Sequence, residues 1–297
     1  MKGFFQYSLI LLAFAGSLNA QNALFLAQGA NDTGEWWMQP GTSFYDTLAP
    51  EASAKNYEII PFSWGQLPEP LGGIWYTDML DDAKALAFQI IDKKAAGAEK
   101  ISIIAHSNGG HMAQIASQLL DPNSTGSLVF LGFKAAVQLR AFFKGISCTE
   151  GIIDRLYTLG TQNSEGKPEA LPHKTINTVI HLYSEEDETD PYGYKLTITD
   201  PNGPTQVNIE AKRVDTAGNP IATTHADYIT PEVARAILSL EELSGFSYTN
   251  NGIITFSQDS NVEPVYQINP DPVIDNNSLN IFPITSLMDL INLLSLQ

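Results

Sequence analysis

The chain has 297 residues, of which 43% are hydrophobic and 10% aromatic, so it can bury a sizeable core and is not globally disordered. It carries 16 Lys and Arg against 33 Asp and Glu, and this net charge of −17 argues against a protein that binds the nucleic-acid backbone. A single cysteine excludes an internal disulfide framework and a cysteine-based structural zinc site.

The N-terminus has the layout of a secretory signal peptide. Lys2 precedes the mostly apolar run 4–15, and the small residue Ala20 ends the segment. We therefore expect residues 1–20 to be cleaved off after Ala20 and the mature protein to be secreted or periplasmic. No later stretch predicts a transmembrane segment, because the apolar run 127–146 is interrupted by basic residues.

Strands and helices are predicted to alternate along the next part of the chain. Strands are expected at 23–27, 57–62, 100–105, 154–159, 176–183 and 206–213, the last of which closes the series. Helices are expected at 78–96, 109–120 and from the cap Thr230 to about 243, while 127–146 fits a helix or, at 128–131, a strand. This alternation predicts an α/β fold with a mostly parallel, doubly wound sheet and helices on both faces. Ligands of such sheets bind at the carboxyl ends of the strands.

The amino-acid composition changes after residue 245. Residues 246–280 are rich in Asn, Asp, Ser and Pro. Residues 284–296 predict an apolar helix with a polar residue at every third position. We therefore divide the mature chain into an α/β domain, 21–245, and a C-terminal extension, 246–297. The terminal helix could dock on the body of the domain, cover its site or contact lipid, and docking on the body is the preferred interpretation.

The segment 101–111 (ISIIAHSNGGH) places Ser107 between a predicted strand and a predicted helix. Small residues, Ala105 and Gly109, stand two positions before and after it, where the strand and helix backbones nearly touch. A serine on such a sharp turn has its hydroxyl lifted out of the sheet, and the helix N-terminus favours developing negative charge. The pattern therefore predicts a nucleophile elbow, against the alternative of an ordinary turn serine.

A nucleophilic serine needs a base, and in this architecture the chain order is serine, acid, histidine. His225 is the one histidine in a loop after the acidic segment, so it is the predicted base. The other four are tied to the elbow, precede the acid or lie inside a strand: His106, His111, His173 and His181.

The orienting acid is expected just after the strand 176–183. Asp187 is preferred there, because the first residues that leave a strand lie over the edge of the sheet and a short acid fits a tight turn. The alternatives are, in order, Glu186 and Asp190; Asp154 is also conceivable, but it begins a strand instead of following one.

Acyl transfer also needs hydrogen-bond donors for the oxyanion. One donor is expected to be the backbone N–H of Asn108, the residue after the nucleophile. The other is expected from the loop after the first strand, as the backbone N–H of Ala30 with Gly29 beside it.

Together these motifs resemble the α/β-hydrolases, and most of all small secreted bacterial lipases and esterases. The resemblance covers residues 21–245 and is carried by the segments 105–110, 157–161 (YTLGT), 183–187 and 225–228 (HADY). Carried over position by position, it implies that Ser107 is the nucleophile, Asp187 the orienting acid and His225 the base. Two residues depart from the family pattern, Gln28 in place of a common histidine and Gln162 in place of a common proline.

The resemblance implies hydrolysis of a small-molecule or lipid ester through an acyl-enzyme, without a cofactor. No metal site is predicted, because the acidic loops 200–203 and 269–275 lack the spacing of a calcium loop. An acyltransferase or a serine peptidase could use the same triad. A catalytically inactive secreted binding protein of the same fold is the alternative from another functional class.

Overall fold

A computed structural model describes eight stretches of the chain, 21–29, 36–65, 74–148, 151–161, 174–187, 203–239, 252–257 and 265–268. The described residues form nine strands, β1 (Asn22–Ala27), β2 (Tyr57–Phe62), β3 (Ile101–His106), β4 (Ile153–Leu159), β5 (Ile176–Tyr183), β6 (Thr205–Val214), β7 (Pro220–Ile221), β8 (Gly252–Ser257) and β9 (Val265–Ile268). They also form five α-helices, α1 (Ser43–Ala54), α2 (Ile74–Ala95), α3 (Asn108–Leu120), α4 (Leu128–Lys144) and α5 (Pro231–Ser239). A 3₁₀ helix covers His225–Tyr228.

The strands form a single twisted sheet in the order β2-β1-β3-β4-β5-β6-β8-β9. Neighbours from β2 to β8 run parallel, β9 is antiparallel to β8, and β7 is a short antiparallel partner of β6. The order reverses between β1 and β3, which is the topological switch point where such sheets bind ligands. The predicted α/β class with a mostly parallel, doubly wound sheet is confirmed.

Helices cover both faces of the sheet. On one face α2, α3 and α4 share a hydrophobic cluster with Phe25 of β1. On the other face α1 and α5 share a cluster with Leu24, the preceding residue of the same strand. Because both faces are covered, the residues of β1 from Ala23 to Ala27 are all fully buried, which explains their continuous apolar sequence.

The stretch 127–146, left open between a helix and a strand, is helix α4. The Ser127 Oγ accepts a hydrogen bond from the Phe130 backbone N–H at 3.2 Å, and so caps the start of the helix. Gly145, with φ at +68°, ends it in the left-handed conformation. These two capping residues decide against a strand at 128–131.

The prediction that 206–213 is the last strand is wrong. Strand β8 pairs in parallel with β6, and β9 follows as an antiparallel edge strand. Both lie beyond residue 245, inside the Asn- and Ser-rich region whose composition hides their apolar residues. The sheet thus continues into the C-terminal extension, while the division of the chain at 245 stays a prediction.

Helix α1 is an element that the sequence analysis did not predict. Its buried residues Phe44, Leu48 and Ala52 recur at every fourth position, and Pro50 lies inside the helix. A proline inside a helix removes a backbone hydrogen bond, and this masks the helical pattern in the sequence.

The predicted signal peptide 1–20 and the predicted terminal helix 284–296 lie outside the described residues. Among the helices of the described stretches, none has the length and apolar character needed to cross a membrane.

Candidate active site

Ser107 occupies a strained turn between β3 and α3. Its φ of 53° and ψ of −129° lie outside the usual regions for a residue with a side chain, and it caps the N-terminus of α3. The turn is held on both sides, because the Ser107 N–H donates to the Leu159 carbonyl at 2.9 Å and the Gly110 N–H donates to the Ser107 carbonyl at 3.0 Å. The observed backbone has the strand–turn–helix geometry of a nucleophile elbow.

The glycines after Ser107 are required by close backbone contacts. A Cβ added to Gly109 would lie 2.3 Å from the carbonyl oxygen of Gln28, at the end of β1. A Cβ added to Gly110 would lie 2.1 Å from the Thr161 Oγ1. The first turn of α3 therefore packs against the ends of β1 and β4 at a distance that only glycine allows.

Asp187 and His225 are in direct contact. The Asp187 Oδ2 lies 2.9 Å from the His225 Nδ1, and the Asp187 side chain is fully buried. A tight turn after β5 presents this carboxylate, because the Asp187 N–H donates to the Ser184 carbonyl at 3.1 Å. Of the alternative acids, Glu186 is exposed, Asp154 lies at the start of β4, and Asp190 lies outside the described residues.

His225 and Ser107 both contact the end of β4. The Leu159 carbonyl accepts the Ser107 N–H, and the next residue is Gly160. A Cβ added to Gly160 would lie 3.2 Å from the His225 Cε1 and 2.5 Å from the Tyr228 Cε2. The His225 imidazole therefore packs on Gly160, the residue after Leu159.

A carboxylate network holds the short helix that carries His225. The Asp227 Oδ2 accepts hydrogen bonds from the Thr224 N–H at 2.6 Å and from the Thr224 Oγ1 at 2.8 Å. The first of these, with the reciprocal bond from the Asp227 N–H to the Thr224 side chain, forms a capping box. The same oxygen lies 2.7 Å from an Arg213 guanidinium nitrogen on β6. The loop that presents the histidine is thereby fixed to the sheet.

A second histidine, His106, connects this loop to the elbow through a contact that the sequence does not predict. The His106 Nε2 lies 3.1 Å from the His225 carbonyl oxygen, and the two ring centroids are 4.8 Å apart. A carbonyl oxygen only accepts, so the Nε2 of His106 donates. The two residues are 119 positions apart in the chain, so no local pattern signals their contact.

The loop expected to supply the second oxyanion donor begins beside the nucleophile. A Cβ on Gly29 would lie 3.0 Å from the Ser107 Cβ. Gln28 and Trp64 form two hydrogen bonds with each other. The Gln28 Nε2 donates to the Trp64 carbonyl at 2.9 Å, and the Trp64 Nε1 donates to the Gln28 carbonyl at 2.6 Å. Gln28 thus anchors the end of β1 to the loop after β2. Ala30 lies outside the described residues, as does Gln162.

Asn108, the other expected donor, is the first residue of α3 and is buried. The first N–H groups of a helix have no acceptor within the helix, and its dipole favours negative charge at this end. The helix start therefore supplies a setting suited to an oxyanion.

His181 is a core residue, as its place within a strand predicts. It is fully buried in β5, and its Nδ1 lies 2.8 Å from the Thr158 Oγ1. Nowhere in the described ranges do three or more His, Cys, Asp or Glu side chains come together as a group that could hold a metal ion.

The strand order and the site together define the class of fold. A mostly parallel, doubly wound sheet has a serine on a strained turn after the buried strand β3, and a carboxylate and a histidine follow later strands. This is the α/β-hydrolase fold.

Comparison with known proteins adds distant structural neighbours only. No family model and no curated protein matches the sequence. The chain is similar to lipase B of Aspergillus fumigatus at 12% identity and a TM-score of 0.42, over 77% of this chain and 53% of the lipase. It is also similar to an α/β serine hydrolase without lid from Xanthomonas campestris, at 13% identity and a TM-score of 0.42, over 76% of this chain and 83% of the other. A third similar structure is the dienelactone hydrolase of Anabaena variabilis, at 10% identity and a TM-score of 0.41, over 75% of this chain and 85% of the other.

The chain thus spans about half of the length of the Aspergillus lipase. TM-scores at this level do not indicate an activity. The fold class is assigned from the strand order and the elbow of this chain.

Proposed function

We propose that the protein is a secreted serine hydrolase that cleaves carboxylic esters through Ser107, Asp187 and His225. One observation carries the proposal: a serine on a strained elbow lies at the edge of the sheet where a buried carboxylate is bound to a histidine at 2.9 Å. Strain at a non-glycine residue persists only where the surrounding structure enforces it, and it is typical of functional sites.

The contact between Asp187 and His225 sets the roles of the two imidazole nitrogens. An ionised carboxylate only accepts hydrogen bonds, so the His225 Nδ1 carries a proton. In the neutral ring the Nε2 is then the basic nitrogen. His225 takes the proton of the Ser107 hydroxyl through this atom as the serine attacks the ester carbonyl, and Asp187 stabilises the imidazolium that forms.

The reaction continues through an acyl-enzyme. The tetrahedral oxyanion is bound by the backbone N–H of Asn108 and of Ala30, which follows Gly29 beside the nucleophile. The intermediate collapses as His225 protonates the leaving alkoxide, and the acyl group remains on Ser107. Water then attacks this ester with His225 again as the base, and the free acid and the enzyme are released.

The substrate is a small-molecule or lipid ester, and the enzyme needs no cofactor for these steps. Secretion after cleavage at Ala20 is part of the same proposal, supported by the basic and apolar pattern of residues 1–20.

The test is covalent labelling of the chain that begins at Gln21 with a fluorophosphonate, followed by peptide mapping. We expect the label on Ser107, its loss in Ser107→Ala, and a fall in ester turnover of about 10⁴–10⁶-fold in that variant. Ser53→Ala is the matched control, because Ser53 is exposed on α1 and its removal leaves labelling unchanged.

Near-normal turnover in Ser107→Ala would show that the assignment is wrong. A folded protein that takes up no label would instead support the inactive binding protein. Product analysis with added alcohols or amines separates ester hydrolysis from acyl transfer.

A further inference from the structure

The outer face of α4 is apolar and exposed. Leu128, Leu139 and Phe142 are 89%, 55% and 77% exposed. Gly132 and Ala135 are exposed between them. These five residues, termed the α4 seam, are spaced by four, three, four and three positions, which places them in one line along the helix.

Polar side chains of α4 contact the body of the domain. The Lys134 Nζ donates to the Pro122 carbonyl at 2.9 Å. The Gln138 Nε2 donates to the Leu119 and Leu120 carbonyls at 3.0 and 2.9 Å, at the end of α3. Like an ordinary surface helix, α4 buries one apolar stripe, formed by Phe130, Val137 and Ala141. Unlike one, it has a second apolar face that is exposed.

Ion pairs fix this orientation at the other end of the helix. Arg140 and Lys144 both pair with Asp92 of α2. Burial raises the pKa of Asp92. Hydrogen bonding and the positive charges of Arg140 and Lys144 lower this pKa by a larger amount, so the net shift is downward. Contiguous exposed apolar side chains held in place by polar contacts are typical of an interaction surface.

The α4 seam lies far from Ser107. Leu119 and Leu120 end α3, which starts at the carboxyl edge of the sheet and therefore ends at the amino edge. Asp92 lies near the end of α2, which leads into the start of β3. Helix α4 thus belongs to the amino edge, and its exposed face is not part of the catalytic site.

The chain leaves the sheet at the same edge. Ile268, the last residue of β9, pairs with Gly252, the first residue of β8. Strands are spaced by about 4.8 Å, so the five steps from β9 to β3 cover about 24 Å. Residues 269–283 can extend to about 50 Å, which is enough to bring the following segment to α4.

The terminal segment has a matching apolar line. Ile284, Leu287, Ile291 and Leu294 are spaced by three, four and three positions, the same alternation as in the α4 seam. We propose that residues 284–296 form a helix that packs on the α4 seam and covers it. Gly132 and Ala135 in the middle of the seam allow the two helices to approach closely.

Covalent attachment favours this segment over a second copy of the chain, because a flexible linker gives an effective concentration on the order of millimolar. A lipid surface fits less well. Of the three cations of α4 that would attract anionic lipid, Arg140 and Lys144 are paired with Asp92, and the Lys134 ammonium donates to the Pro122 carbonyl. The proposal does not depend on hydrolase activity.

The test measures protection of the seam in the full mature chain. The variant Leu139→Cys places a thiol on the seam, and its rate of modification by a maleimide is followed by peptide mapping. We expect this thiol to react roughly tenfold or more slowly than one from Ser53→Cys on α1. Cys148 is buried and burial raises its pKa to about 11, so it reports unfolding by becoming labelled.

A matched pair of double substitutions identifies the covering segment. Leu287→Asp with Ile291→Asp puts two charges on the apolar line and is expected to abolish protection. Ser286→Asp with Asn292→Asp adds the same two charges on the polar stripe and is expected to preserve it. If Cys148 becomes labelled in the first pair, the milder Leu287→Ser with Ile291→Ser takes its place.

Four results would overturn the proposal. The first is a seam thiol that reacts as fast as the exposed control, and the second is a rate that both charged pairs leave unchanged. Protection that disappears on dilution would assign the seam to a second copy. Protection that arises only with phosphatidylcholine vesicles would assign it to a lipid surface.

Discussion

At the carboxyl edge of the sheet, polar side chains are buried. Asp187 is fully buried against His225, and Gln28, His106 and Ser107 are nearly so. At the amino edge, apolar side chains are exposed along α4, where Leu128 and Phe142 lie outside the core. Each edge departs from the usual separation of polar and apolar residues, in opposite directions.

The two departures have different surroundings. The buried polar groups have partners within the domain, such as the Asp187–His225 contact and the Gln28–Trp64 exchange. The exposed apolar groups of α4 have polar neighbours that hold the helix in its orientation, but their own face lies open. Buried polar groups that contact one another indicate preorganised chemistry, and an open apolar face indicates a surface made to be covered.

The largest expected effect comes from the carboxyl edge, in Asp187→Asn. The amide keeps the size of the side chain but loses the charge and offers an N–H donor, which favours the wrong tautomer of His225. We expect ester turnover to fall about 10⁴-fold with little change in the free energy of unfolding. Steady-state kinetics and urea unfolding measure the two quantities.

Glu186→Gln is the matched control for this substitution. Glu186 precedes Asp187 in the same turn and is exposed, so the loss of its charge leaves turnover within a few-fold of the wild type. Equal losses in the two variants would show that the acidic turn acts through its overall charge, and the proposed role of Asp187 would be wrong.

The next effect concerns packing at the elbow, in Gly109→Ala. The added Cβ would lie 2.3 Å from the Gln28 carbonyl oxygen, so the helix and strand must separate. We expect the free energy of unfolding to fall by about 3 kcal/mol. Gly65→Ala is the control, because its Cβ would meet only the Asp82 Oδ2 at 3.6 Å, an ordinary van der Waals contact, and its effect stays within about 1 kcal/mol. Urea unfolding that gives similar losses for both would contradict the close contact at the elbow.

The elbow could be predicted from sequence because its determinants are local. Small residues on both sides of Ser107, after an apolar strand, specify the turn without contacts from distant parts of the chain. The pairing of Asp187 with His225 followed from chain order and from a short acid in a tight turn, and the two side chains are in contact. Their catalytic roles stay a prediction.

The remaining features depend on contacts between distant parts of the chain. His106 meets the His225 carbonyl across 119 residues, and Gln28 meets Trp64 across 36. Helix α1 is hidden by Pro50, and β8 is hidden by the polar residues around it. In each case tertiary packing outweighs the local propensity from which the prediction is made.

The smallest expected effect is a pH dependence at the amino edge, where Cys148 lies between α4 and β4. Burial raises the pKa of its thiol from 9.0 to about 11, so the folded chain keeps the thiol neutral while the unfolded chain ionises it. The stability from this group is therefore fully present below pH 9 and is lost as the pH rises towards 11. We expect the free energy of unfolding to fall by about 1 kcal/mol from pH 8 to pH 10 on account of Cys148.

Urea unfolding of the wild type and Cys148→Ala at both pH values isolates this contribution. The alanine variant loses some stability at every pH through the cavity, but its decrease between pH 8 and 10 should be smaller by about 1 kcal/mol. Tyr183→Phe offers the same test at the carboxyl edge, since burial, followed by Glu210 and Glu185, also raises the pKa of the Tyr183 hydroxyl. A decrease that is the same with and without Cys148 would mean that water reaches the thiol, and the packing between α4 and β4 would then be looser than its burial indicates.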